Sequence, residues 1–64
     1  MFWNETERKA LNMIGDLFGW PAGAHWFTAE NEALDGSSPY ELFMEGRAEE
    51  VLTLLQRMAD PVTH

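Results

Sequence analysis

Apolar residues recur at three- and four-residue intervals in two stretches of the chain, the spacing of helices that bury one side. In the first stretch Ala10, Leu11, Ile14, Leu17 and Phe18 share a face, while Glu5, Arg8, Lys9, Asn12 and Asp16 fall mainly opposite. Asn4 precedes this stripe and Glu7 follows three residues later, the arrangement of a capping box. Gly19 ends it. In the last stretch Ala48, Val51, Leu52, Leu55, Met58 and Ala59 form the stripe, and Leu54 widens it. Glu49 and Glu50 in its first turn and Arg57 in its last suit the helix dipole, and Pro61 stops it. The spacing predicts a helix over residues 47–59.

The middle of the chain is punctuated more densely. A residue before proline is pushed out of the helical region, while proline suits a first helical turn, so Trp20-Pro21 restarts the chain. A short helix over 21–28 then places Ala22, His25, Trp26 and Ala29 near one face, with His25 partly buried beside Trp26. Residues 30–36 hold Asn31, Asp35 and Gly36, all turn formers, around Ala33 and Leu34. Leu34 is expected to plug the core, and Asp35-Gly36 to make the turn. Ser38 precedes Pro39 and lies three residues before Glu41, which fits a capping box with proline at the first helical position. Gly46 supplies a residue that accepts a left-handed conformation where a short helix over 39–45 should end. No segment of four or more residues alternates as a half-buried strand does. The expected fold is therefore all-α: a small single domain over residues 1–64, with about four helices, two longer and two short. Gly15 is a local discord, costing roughly 1 kcal/mol relative to alanine unless a neighbouring backbone approaches closely there.

A chain of 64 residues buries only about 60% of the surface its unfolded form exposes. With no cysteine it has no disulfide and no thiolate site, so stability must come from large apolar side chains or from a partner. Three Trp, four Phe and four Met are a generous supply of apolar surface, some of it expected to face an interface. Eleven acidic and four basic residues give a net charge of −7, which opposes direct binding to phosphate backbones. No apolar run approaches the ~20 residues needed to span a bilayer, and the first residues lack a signal peptide's basic start and apolar core. The expectation is a cytoplasmic protein that binds neither membrane nor nucleic acid.

Chemistry is sparse. His25 and His64 are the only imidazoles and lack the spacing of a helical metal clamp, so no metal site is expected. Ser37 and Ser38 have no histidine at motif spacing, and phosphate-binding glycine patterns are absent. So short a chain leaves little room for a pocket of ~300 Å³ lined by convergent polar groups. No cofactor and no catalysis are expected, and the run from 45 to 50 reads as a solvated helix start. Trp26, Leu34, Leu42, Val51, Leu52 and Leu55 read as core. Phe2, Trp3, Trp20, Phe43 and Met44 lie at element ends or off the main stripes, which makes them interface candidates.

The ordered set Trp26-Phe27, Thr28, Asn31, Ala33-Leu34, Gly36, Pro39, Leu42, Gly46, Val51 and Leu55 resembles the toxin-binding domain at the C-terminus of Xre/MbcA/ParS-type antitoxins. The resemblance runs from Ala24 to Met58, with Trp26, Leu34, Gly36, Ser38, Pro39, Gly46 and Val51 defining the fold. It implies a non-catalytic module that binds and neutralises a protein toxin, of the RES type that consumes NAD or a related ADP-ribosylating enzyme. The family covers its toxin's active-site cleft with the last helix and the tail, which here points to Arg57, Met58, Asp60, Pro61 and His64. The expected form is a stand-alone module without the helix-turn-helix that the family usually carries. The alternative is a helical adaptor that self-associates as a homodimer through Phe2, Trp3 and neighbours and has no toxin.

Overall fold

A computed structural model describes residues 3–60; Phe2, Pro61 and His64, named above as interface candidates, lie outside the described residues. Four α-helices and one 3₁₀ turn make up the fold, with no strand among the described residues. They are α1 (Glu5–Phe18), α2 (Ala22–Thr28), the 3₁₀ turn (Glu32–Leu34), α3 (Pro39–Met44) and α4 (Ala48–Ala59). The all-α expectation and the two-long, two-short division both hold.

The first helix starts as its sequence dictates. The Glu7 amide donates to Asn4 Oδ1 at 2.7 Å and the Asn4 amide donates to Glu7 Oε1 at 2.9 Å, closing the capping box. The Arg8 guanidinium donates to the Trp3 carbonyl at 2.7 Å and ties the entering chain to the first turn. Ala10 and Ile14 are wholly buried on the inner face.

The turn into α2 is a shape-fitted corner. Gly19 takes φ +71°, its amide donates to the Gly15 carbonyl at 2.9 Å, and the Trp20-Pro21 peptide is cis. The Trp20 indole lies across two positions that lack a Cβ: one built at Gly15 would come within 2.6 Å of Trp20 Nε1. At Gly23 it would come within 2.7 Å of Ile14 Cγ2 and 3.2 Å of the indole ring. The close neighbour that explains Gly15 is therefore a side chain, not a backbone. His25 is exposed rather than packed beside Trp26, because α2 turns Gly23, Trp26 and Phe27 inward. Trp26 stacks on Phe18 with ring centroids 5.1 Å apart.

Residues 30–37 form a closed loop rather than a plain connection. Asn31 Oδ1 accepts from the Ala33 amide at 2.9 Å, and the Asn31 carbonyl accepts from Leu34 at 2.9 Å and Gly36 at 3.0 Å. Asp35 and Gly36 take φ +59° and +85°, which reverses the chain and drives Leu34 into the core. The 3₁₀ turn falls where a plain connection is expected, since three residues cannot display a period.

The next two junctions are hydrogen-bonded. Ser38 Oγ accepts from the Glu41 amide at 3.1 Å while Glu41 Oε1 accepts from the Ser38 amide at 3.0 Å, with Pro39 in the first turn. At the far end Gly46 has φ +76° and its amide donates to Phe43 O at 3.1 Å. The Arg47 amide donates to Leu42 O at 2.7 Å, completing the paired bonds of a Schellman ending. Helix α4 then packs on α1, α3 and the 3₁₀ turn. The core is Ala10, Ile14, Leu34, Leu42, Phe43, Ala48, Val51 and Leu55. Each large side chain in it contributes about 1.5–3 kcal/mol by leaving water.

Candidate interaction surface

Two surfaces stand out once the core is accounted for. The first is aromatic. Four rings follow one another edge to face: Trp3–Phe43 at 5.7 Å, Phe43–Phe27 at 4.9 Å and Phe27–Tyr40 at 5.8 Å. The outer rings, Trp3 and Tyr40, are exposed, as is Met44, one helical turn beyond Tyr40 and 66% accessible. Phe43, expected at an interface, is only 5% accessible and belongs to the core. Helix α3 turns Leu42 and Phe43 toward the core and Met44 outward.

The second surface is the outer side of α4. Glu49, Thr53 and Arg57 follow at four-residue spacing and are exposed, as are Met58 and Asp60. Beside them an open groove of about 330 Å³ runs between α4 and the 3₁₀ turn. Ala33, Leu34 and Leu54 are its apolar lining, and Glu49, Glu50, Thr53 and Arg57 its polar one. Its volume is close to the ~300 Å³ for which so short a chain is expected to leave little room, and it is reached as an open surface groove rather than an enclosed pocket. It lies where the 3₁₀ turn, with Ala33 and Leu34, meets α4. In the sequence Glu49 and Glu50 read as dipole partners and part of a solvated helix start; the four-residue spacing of Glu49, Thr53 and Arg57 is the signal that links them.

Arg47, just before α4, engages Glu50, one of the groove's polar residues. Its Nε and Nη2 donate to the Glu50 carboxylate at 2.8 and 2.9 Å, and Nη1 donates to Glu45 at 3.0 Å. The guanidinium beside it holds the Glu50 carboxyl below the usual carboxylate range. The paired carboxylates in turn hold Arg47 more firmly protonated than an ordinary arginine. Among the described residues no group of three or more acidic or imidazole side chains is placed to hold a metal ion. No described helix is long and apolar enough to cross a membrane.

The domain closes its core and leaves a charged helix face and an aromatic edge exposed. Residues 15–60 match the family described as the antitoxin Xre/MbcA/ParS C-terminal toxin-binding domain, and the chain belongs to that family. The match takes in the end of α1 and everything from α2 to Asp60, so both surfaces fall within it except for Trp3. No curated protein and no solved structure matches the chain. Membership makes this an antitoxin domain whose partner is a protein toxin. Domains of this family are generally non-catalytic.

Proposed function

We propose that the domain neutralises an NAD-consuming toxin, RES-like or ADP-ribosylating, by laying the outer face of α4 and the residues after it over the toxin's catalytic cleft. The observation that carries this reading is the C-terminal end of α4. There Arg57, Met58 and Asp60 are all exposed at the limit of the family match. Met58 supplies an adaptable apolar contact, and Arg57 a fork of donors suited to carboxylates or phosphates. Net charge supports the choice of toxin. A cleft that handles an anionic dinucleotide has a basic lining, and a chain of net charge −7 is drawn to it. Such a module acts in the cytoplasm, where its toxin would otherwise consume NAD, and it needs no cofactor.

The test is co-expression with the product of the adjoining gene and purification on a tag carried by this chain. The expected result is a stoichiometric complex whose NAD consumption is suppressed. Truncation after Ala59 then weakens suppression, because it removes Asp60 and the tail. A complex whose NAD consumption is undiminished overturns the mode of action. The exposed run Trp3, Tyr40 and Met44 favours a second reading, self-association through the aromatic edge. A concentration-independent homodimer in sedimentation, with no toxin captured, would establish that reading instead.

A further inference from the structure

The groove between the 3₁₀ turn and α4 has an order of charge along its length. Glu49 stands at one end and Arg57 two turns away at the other, with Thr53 between them and the apolar lining of Ala33, Leu34 and Leu54 alongside. Glu50 is already engaged, since Arg47 donates to both of its carboxylate oxygens. Among the described residues Glu49 and Arg57 make no side-chain hydrogen bond or ion pair with each other or with any neighbour. Among the described residues the groove therefore keeps one carboxylate and one guanidinium in reserve, with an apolar lining alongside.

We propose that this groove seats an amphipathic segment of the toxin with the opposite charge order. The segment carries Lys or Arg at the Glu49 end, aliphatic side chains over Ala33, Leu34 and Leu54, and Asp or Glu at the Arg57 end. The proposal rests on the toxin-binding reading above and names the chemistry by which that partner is recognised. A second copy of this chain is the poorer occupant: the apolar strip is small, and two chains of net charge −7 repel each other. A partner with a basic face gains where a second copy loses. The two end charges set the register of the segment and reject one laid in reverse, while the apolar strip holds it.

The groove can be broken at exposed positions that leave the core alone. Thr53→Trp fills it, and Glu49→Arg and Arg57→Glu each reverse one end. Glu5→Arg and Lys9→Glu change net charge by the same amounts on the exposed side of α1, away from the groove. Dissociation of the co-expressed complex is followed by biolayer interferometry at physiological salt, with circular dichroism confirming that each variant is folded. The three groove variants should dissociate at least about tenfold faster than wild type, and the two α1 variants within about twofold of it. If wild type forms the complex and the groove variants dissociate as slowly as it does, the groove assignment falls and toxin binding stands. If the α1 variants weaken binding as much as the groove variants, net charge alone explains the effect and the assignment also falls. If wild type captures no toxin, the toxin-binding reading falls and takes the groove with it.

Discussion

The two corners of this domain close by different physics. Between α1 and α2 there is no side-chain cap: Pro21 precedes the helix without one, and closure rests on the Trp20 indole lying over Gly15 and Gly23. Around α3 closure is polar and explicit, with a reciprocal Ser38–Glu41 box at one end and the paired amide bonds to Leu42 and Phe43 at the other. One corner depends on the absence of atoms, the other on the presence of donors and acceptors. A corner held by shape is intolerant of added volume and indifferent to polarity. A corner held by hydrogen bonds is the reverse.

Added volume should give the largest effect. Gly23→Ala puts a methyl group 2.7 Å from Ile14 Cγ2, and Ile14 is wholly buried, so core packing must shift to admit it. We expect a loss of about 1–3 kcal/mol, read as a lowered midpoint in urea denaturation with an unchanged slope. An unaltered midpoint would show that the corner is looser than its geometry states. Removing a polar partner from the other corner comes next. Ser38→Ala leaves the Glu41 amide without its part-buried acceptor and should cost about 1 kcal/mol. Ser38→Thr, which keeps the hydroxyl oxygen, should recover part of that loss.

A smaller effect separates the two glycines of the first corner. Gly15→Ala also meets Trp20, at 2.6 Å from Nε1, but that indole is 56% accessible and can swing outward. The helix-propensity gain of about 1 kcal/mol then offsets the lost contact. Stability should therefore stay near the wild-type value while the Trp20 indole N–H resonance shifts. A loss as large as that of Gly23→Ala would mean that Trp20 is as immobile as Ile14.

The smallest effect belongs to the ion pairs of Arg47, which are half exposed. Arg47→Gln should let the Glu50 carboxyl return to its ordinary range, a shift that carbon-13 NMR titration reads directly. A carboxyl with a lowered native pKa adds stability above its unfolded pKa and loses it as pH falls through the native one. The small advantage of wild type over the variant should therefore be present at neutral pH and vanish in acid. Coincident titration curves in the two proteins would dissolve the ion pair as a feature of the solution structure.

The same contrast explains what could be read from the chain alone. Asn4 with Glu7, Ser38 with Glu41, Pro39 and Gly46 are local signals, each spanning a few residues, and all act as their spacing foretold. Leu34 entering the core and the reversal at Asp35 and Gly36 were legible for the same reason. The ordered motif from Trp26 to Leu55 carried the family resemblance, and the match over 15–60 extends it at both ends.

Phe43 and His25 were misplaced because both sit on helices of six or seven residues, too short for a period to show which side faces inward. The groove was invisible because its lining comes from two elements separated by α3 and by two turns. The sequence by itself determined the helices, their caps and the kind of surface a small acidic domain must offer, since those follow from nearest neighbours and from composition. Only the tertiary structure decided that Trp20 would rest on two glycines, that Phe43 would turn inward, and that the 3₁₀ turn and α4 would line a groove together. Each of these depends on how the helices pack against one another, which no single residue type or spacing fixes.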